Sequence, residues 1–174
     1  WFPLGIATIS FTVLTTWKHG RRLLFAEVER QTVPLQLVID SSDDMQRVLG
    51  TAVFLTSASK GAPSAMMHNL KHNQVLHERN VLLTIRVEDK PYVTKGNRLL
   101  VNDLGKNFFR VQVYYGFMEI PDIPAALELC ASMGLPFDMM STSFFISRAM
   151  IVSSPHPGMT KWRERLFLAL SKNS

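Results

Sequence analysis

Cysteine is almost absent from this sequence: Cys130 is the only one among 174 residues, so no internal disulfide can form. A chain without disulfides suits a reducing compartment, and Cys130 lies in an apolar, helix-like pattern that predicts a small core residue. The sequence also lacks a G-x-S-x-G elbow, a G-x-G-x-x-G fingerprint and a P-loop, which argues against the hydrolase and nucleotide-binding folds that carry these motifs. It contains no internal repeat and no low-complexity tract, so we expect one ordinary domain with an appendage.

The second absence is local: the first seventeen residues, Trp1 to Trp17, contain no charged side chain. As a helix this segment would be about 25 Å long, slightly short of the roughly 30 Å hydrocarbon core of a membrane. Tryptophan at both ends and the cationic Lys18, Arg21 and Arg22 that follow are typical of the cytoplasmic end of a membrane span. Residues 1–17 are therefore predicted to be part or most of a last transmembrane helix; the alternative is a buried helix of a soluble domain.

The net charge of +5 permits either nucleic acid or an anionic membrane as a partner. Because the one basic cluster follows the apolar segment and the other charges are scattered, the membrane is favoured and no nucleic-acid partner is expected. Residues 18–50 are predicted to be an amphipathic stalk and connecting segment. It contains a helix over 21–31 and a second short helix within 35–49, ended by Gly50.

Residues 51–174 are predicted to form a cytosolic α/β domain. Apolar runs and strand periodicity indicate strands over 52–56, 81–87, 98–102, 107–115 and 143–153. Helical patterns cover 65–76, 120–133 and 160–171, and residues 77–80 are predicted to be a polar link. Together these elements predict a mixed sheet of about five short strands containing a βαβ unit, flanked by helices and preceded by a membrane-helix segment.

A dense set of polar side chains follows the first strand of this unit. His68 and His72 are four residues apart on one predicted helix face, a spacing compatible with a metal, but no cysteine lies near and a third ligand is missing. Metal binding is therefore not favoured over a polar face that contacts loops or another subunit. The candidate interface or regulatory residues are His68, Asn69, His72, Asn73, His77, Glu78 and Arg79.

The loop from Ser57 to Ser64 joins a predicted strand to a helix N-terminus, a geometry that can bind anions. Its candidate anion-binding residues are Ser57, Ser59, Lys60 and Ser64, and the alternative is a plain connecting loop. No acidic residue is placed to orient a serine–histidine pair, so no catalytic site is predicted.

The string HNLKHNQVLHERNVLLTIRVEDKPYV, residues 68–93, resembles the KUP/HAK/KT potassium uptake permeases, particularly the bacterial Kup branch. The similarity continues in order through GTAVFLTS, RVQVYYGFME, Thr142–Ser143 with SFFISR, and WRERLF. It covers essentially the whole chain. Two positions depart from the family pattern: Leu49 stands where a proline is usual, and Ala149 stands where an acidic residue is common.

The resemblance implies a cytosolic C-terminal domain of a multi-span protein of the bacterial inner membrane that takes up potassium together with protons. Its ion sites would lie in upstream membrane helices, so no cofactor, metal or enzymatic activity is expected here. The implied partners are the membrane and the upstream transport domain. In some relatives the domain dimerises or binds a regulatory nucleotide such as cyclic di-AMP. A regulatory or dimerisation domain is thus the first functional hypothesis, and a nucleotide-binding regulatory module is the alternative.

Overall fold

The computed structural model describes residues 1–57, 61–147 and 158–172. The chain divides into two compact units, one of Trp1–Gln31 with Arg148–Ser174 and one of Thr32–Ser147. The helices of the described residues are α1 (Phe2–Gln31), α2 (Leu35–Asp40), α3 (Ser64–Asn73), α4 (Ile123–Cys130) and α5 (Lys161–Lys172). The strands are β1 (Gln46–Leu55), β2 (Val75–Glu88), β3 (Leu99–Gly105), β4 (Phe108–Gly116) and β5 (Thr142–Phe145).

The first unit pairs α1 with α5. The ring of Phe167, which is buried, packs against Trp17 with ring centroids 5.6 Å apart. Arg163 donates a hydrogen bond from Nη2 to Thr15 Oγ1 at 3.0 Å. Hydrophobic contact and this hydrogen bond therefore join the two helices near the middle of α1.

The first half of α1 exposes its apolar side chains, including Leu4 at 73% and Phe11 at 68%. The hydroxyls of Thr8 and Thr12 donate to the carbonyls of Leu4 and Thr8 at 2.8 Å, so both are satisfied inside the helix. Across the described residues, however, no helix combines the length and the apolar character needed to cross a membrane. The transmembrane segment predicted at residues 1–17 is therefore not confirmed.

The second unit is built on a five-stranded sheet of order β3-β4-β2-β1-β5. Strands β4, β2, β1 and β5 are parallel, and β3 pairs antiparallel with β4. The parallel pair β1–β2 is joined through α3, which confirms the predicted βαβ unit and the mixed α/β sheet. Gly105, at φ +85°, makes the tight turn into β4.

Apolar clusters cover both faces of this sheet. One contains Met66 of α3 with Phe54 and Leu82, and the other contains Leu127 of α4 with Val53. Because both faces of the sheet are covered, side chains on both sides of each parallel strand are buried. The strands therefore read as continuous apolar runs and do not alternate between apolar and polar residues. Cys130 lies in the second cluster and is fully buried, as predicted.

The helix predicted within residues 35–49 is wrong in its second half. Helix α2 ends at Asp40, a 3₁₀ turn follows at Ser41–Asp44, and β1 begins at Gln46. Residues 46–48 pair with 75–77 of β2. This pairing supplies strand hydrogen bonds that helix-capping signals in the local sequence cannot reveal.

The polar link predicted at residues 77–80 is also wrong, because these residues belong to β2. Helix α3 ends at Asn73, earlier than predicted, and Gln74 turns the chain at φ +56°. Asn80 is fully buried and donates its backbone N–H to Asn107 O at 2.9 Å. Its side-chain Nδ2 donates to His77 O at 2.8 Å, whereas its Oδ1 has no hydrogen-bond partner among the described residues.

Two further elements are shorter than predicted. Helix α4 begins at Ile123, where the Asp122 carboxylate accepts from the Ala125 N–H at 3.1 Å. It is followed by a 3₁₀ turn and by Gly134 at φ +81°. Strand β5 covers Thr142–Phe145, whereas residues 148–153 of the predicted last strand lie outside the described residues.

Candidate functional site

A cleft of about 900 Å³ opens at the amino ends of the parallel strands of the second unit. Its walls come from the starts of β1 and β2 and from the segments that lead into β4 and β5. The lining residues are Arg47, Gly50, Thr51, Glu78, Arg79, Asn107, Pro136, Phe137, Asp138 and Ser141. Its volume lies in the range of small-molecule sites, so it is the candidate binding site of this unit.

A β-bulge shapes one wall of the cleft. Val48 pairs with His77 and Thr51 with Arg79, so β1 contains one extra residue between these pairs. Gly50 lies in the bulge at φ +98°, and a Cβ at this position would lie 2.5 Å from Ser141 O. Glycine is needed here for both its conformation and its close approach to the turn before β5.

Two guanidinium groups line the cleft without a carboxylate partner among the described residues. Arg47 donates from Nη1 to Glu78 O and from Nη2 to Lys106 O, both at 3.2 Å. Arg79 donates from Nη1 to Pro136 O at 2.6 Å. Because these acceptors are neutral, both arginines keep their positive charge available to a ligand.

Acidic and aromatic groups complete the lining. Glu78 is exposed, Asp138 Oδ1 accepts from the Met140 N–H at 3.1 Å, and Phe137 is half-buried. The cleft thus presents cations, carboxylates and one aromatic ring. This arrangement suits a ligand with both acceptor and donor groups.

The structure brings two of the predicted site residues, Glu78 and Arg79, into the cleft. His77 lies on β2 beside the ring of Phe145, with ring centroids 5.7 Å apart. Burial lowers the pKa of His77, and its Nδ1 has no hydrogen-bond partner among the described residues.

The other four residues of that predicted set lie on α3, away from the cleft lining. His68 and His72 are exposed, with parallel rings 6.2 Å apart, and no group of three metal-ligating side chains is present in the described part of the chain. Asn69 is buried and donates to Val75 O at 2.9 Å, and Asn73 donates to Asn69 Oδ1 at 2.8 Å. The two asparagines therefore attach the end of α3 to β2.

The predicted anion loop lies at the opposite, carboxyl end of β1. Ser57 is exposed, and Ser64, the first residue of α3, has its Oγ 2.6 Å from Ser147 Oγ. Ser59 and Lys60 lie outside the described residues. Anion binding at this loop stays a prediction.

Most of the cleft lining was not identified from the sequence. The sequence predicts a helix around Arg47 that ends at Gly50. Asn107 lies in the turn before β4, far along the chain from the connecting segment that contains Phe137 and Ser141. A glycine within an apolar strand pattern can indicate a bulge, which was the one available signal at Gly50. The other lining residues come together only through the order of the strands in the sheet.

The chain is similar to known proteins along its entire length. Residues 49–174 match the family model described as "K+ potassium transporter C-terminal domain". The chain is 52% identical over its full length to "Probable potassium transport system protein Kup 2" of Dechloromonas aromatica. It is 51% identical to "Probable potassium transport system protein Kup 1" of Rhodopseudomonas palustris and to a Kup protein of Azoarcus sp..

In each case the whole chain is covered, but it spans only 28% of the relative's length. No solved structure matches the chain. The family match over residues 49–174 and identities near one half along the full chain establish that this protein belongs to the Kup (KUP/HAK/KT) potassium transporter family, of which it represents the C-terminal region.

Proposed function

We propose that this chain is the cytosolic regulatory or dimerisation region of a potassium uptake permease of the inner membrane, which imports potassium with protons. The observation that carries the proposal is the 52% identity, over all 174 residues, to a potassium transport protein. The chain spans 28% of that relative, so transport itself belongs to the longer polypeptide. The role of this region is to adjust the transport helices through its packing or its association with a second copy.

The surface of α1 supports this placement. Its first half exposes apolar side chains such as Leu4 and Ile9, which an apolar environment would cover. The cationic Lys18, Arg21 and Arg22 follow directly, as they do at the cytoplasmic end of membrane segments. Helix α1 continues without interruption to Gln31 and is a rigid connection suited to mechanical coupling.

Potassium uptake by the full-length protein tests the proposal. Cells that lack their own potassium transporters are supplied with the full-length protein, and rubidium or potassium entry is measured. We expect uptake that a protonophore abolishes. A second form, truncated after Gln31, should keep the membrane part and show altered uptake. Absence of uptake by the full-length protein at normal membrane levels would disprove the transport role.

A regulatory nucleotide is a second candidate, favoured by the cleft. Arg47 and Arg79 offer cations to phosphates, Phe137 offers a surface for a base, and Glu78 can accept from base N–H groups. Calorimetry of the 174-residue chain with adenine nucleotides tests this. Binding should weaken in Arg79→Gln and persist in Arg86→Gln, an exposed arginine of the same strand outside the cleft lining. If no adenine nucleotide gives a heat of binding, the nucleotide hypothesis is wrong and the structural role remains.

A further inference from the structure

Six cationic side chains are brought together in the first unit and are called the cationic belt hereafter. Three of them follow the exposed apolar half of α1, and the other three lie in the first two turns of α5, far later in the chain. The belt comprises Lys18, Arg21, Arg22, Lys161, Arg163 and Arg165. Only the pairing of α1 with α5 joins the two groups.

Contacts between α1 and α5 fix the position of this belt. Arg163 donates from Nη2 to Thr15 Oγ1 at 3.0 Å, and the Phe167 ring packs on Trp17 with centroids 5.6 Å apart. A Cβ at Gly20 would overlap the Phe167 ring, so glycine permits the close approach of the two helices. The start of α5 therefore lies beside the residues of α1 at which the apolar half ends and the cations begin.

Two of the α5 cations face outward. Lys161 and Arg165 are exposed, are four residues apart on one side of the helix, and have no hydrogen bond or ion pair among the described residues. Trp162 is 57% exposed and lies next to them, and the Arg163 guanidinium is 5.6 Å from the centroid of its ring. This side of α5 thus leaves two cations and an indole ring open to a partner.

The cationic belt carries the whole excess of positive charge in the chain. It holds six of the 19 lysines and arginines, and Glu164 is the only acidic residue of the sequence within residues 15–25 and 158–168. The belt together with Glu164 therefore accounts for the net charge of +5, and the rest of the chain is neutral in sum. A charge concentrated in this way attracts an anionic partner.

The neighbouring surface of α1 distinguishes between anionic partners. Directly before the belt, Phe11 is 68% exposed and Leu14 is 66% exposed. Nucleic acid would leave these side chains in water, whereas a phospholipid membrane offers hydrocarbon next to its charged headgroups. Trp17 and Trp162 lie at the border, and such aromatic rings are enriched at the headgroup level of membranes. Apolar, aromatic and cationic side chains therefore follow one another as the layers of an anionic membrane surface do.

We propose that the exposed side of α5, formed by Lys161, Trp162 and Arg165, binds the headgroups of anionic phospholipids. This inference rests on the membrane placement of α1 proposed above and adds a second contact, made by a helix that is distant in the sequence. Clusters of about four to eight lysines and arginines beside a membrane segment bind anionic lipid, and the cationic belt falls in that range. The lipid phosphates accept hydrogen bonds from the ammonium and guanidinium groups.

Sedimentation of the 174-residue chain with lipid vesicles tests the proposal. Its affinity is measured for phosphatidylcholine vesicles and for vesicles that also contain phosphatidylglycerol, and the ratio of the two removes the apolar contribution of α1. Each surface cation contributes about fivefold to this ratio, so Lys161→Gln with Arg165→Gln should lower it by about thirtyfold. Lys71→Gln with Arg86→Gln is the matched control, because it removes the same charge from exposed positions of the second unit and should leave the ratio largely intact.

Three results would overturn the proposal. An equal loss in both double variants would show that net charge alone drives binding, and an unchanged ratio in Lys161→Gln with Arg165→Gln would exclude the α5 surface. If that variant keeps its lipid ratio but binds a DNA duplex more weakly, the cationic belt recognises nucleic acid and the proposal is wrong. Far-ultraviolet circular dichroism checks that every variant keeps its helices.

The fluorescence of Trp162 reports on the contact directly. The emission that the native chain loses in Trp162→Phe belongs to this residue, and brominated phosphatidylglycerol should quench it. Absence of quenching when the chain is bound to the vesicles would show that α5 does not reach the lipid.

Rubidium uptake by the full-length transporter in the same two kinds of vesicle separates this inference from the function on which it rests. Loss of the lipid preference in Lys161→Gln with Arg165→Gln, without uptake by the unsubstituted protein, supports the lipid contact and refutes the transport role. Uptake by the unsubstituted protein, with an unchanged lipid preference in that variant, refutes the lipid contact and leaves the transport role intact.

Discussion

Replacing Gly50 with alanine should destabilise the sheet more than the same change at Gly105 or Gly96, where the added Cβ meets open space. The backbone at Gly50 has φ +98°, a conformation that costs an L-residue about 1–2 kcal/mol. The added Cβ would also meet Ser141 O at 2.5 Å, and relieving such an overlap within a packed structure costs about 1–3 kcal/mol. We therefore expect a loss of about 3 kcal/mol in the free energy of unfolding.

Two other glycines separate the two contributions. Gly105→Ala has a similar φ of +85° but open space around the new Cβ, so it should cost only the conformational 1–2 kcal/mol or so. Gly96 has neither positive φ nor a close neighbour, and Gly96→Ala should be neutral or stabilise by about 0.4–1 kcal/mol through the unfolded state.

Hydrogen exchange of the backbone amides of β1 and β5 is the suitable assay. Tryptophan fluorescence would not report on the sheet, because Trp1, Trp17 and Trp162 all belong to the other unit. A loss of about 3 kcal/mol corresponds to roughly hundredfold faster exchange in Gly50→Ala. Equal rates in Gly50→Ala and Gly105→Ala would refute the steric part of the reasoning.

Three further changes have defined outcomes. Arg98 and the N–H of Gly116 lower the pKa of Glu119 below its ordinary 4.5, so its stabilisation is present above that pH and is lost as the pH falls through the lowered pKa. Acid denaturation should show this loss in the native chain and not in Glu119→Gln. Burial raises the pKa of Cys130 to about 11, so a thiol reagent at neutral pH should label it only after denaturant unfolds the chain. Phe54 is fully buried and stacks on Phe145 with centroids 4.9 Å apart. Phe54→Ala should cost about 3–5 kcal/mol in a urea titration, and a loss below 1 kcal/mol would contradict the packing.

The strand centres and the βαβ unit could be predicted because burial on both sheet faces leaves long apolar runs in the sequence. Val81 to Val87 is one such run, and Ala52 to Thr56 is another. The ends of those strands could not be predicted. Residues 46–48 carry a polar and charged pattern that also suits a helix, and 77–80 are polar throughout. In the sheet, however, 46–48 pair with 75–77 of β2, and Arg79 and Asn80 pair with Thr51 and Ala52 of β1.

The candidate site also contains residues that could be predicted from the sequence and residues that could not. Glu78 and Arg79 were identified as candidates from their place in a distinctive polar string, and both line the cleft. Their neighbour Asn107 precedes β4, whereas Phe137 and Ser141 lie together in the segment before β5, and only strand order brings these two segments to the same cleft. The histidines of the same string lie elsewhere, because a helix and a strand turn successive side chains in different directions.

The sequence by itself determined the family, the α/β class and the buried character of Cys130, because these depend on residue identity and local apolar patterning. The tertiary structure decided where β1 and β2 begin, where the cleft opens, and which apolar residues stay exposed in the loops after β2 and β4. These features depend on pairing between distant segments, and the hydrogen bonds and contacts that produce them are not encoded in any one local stretch.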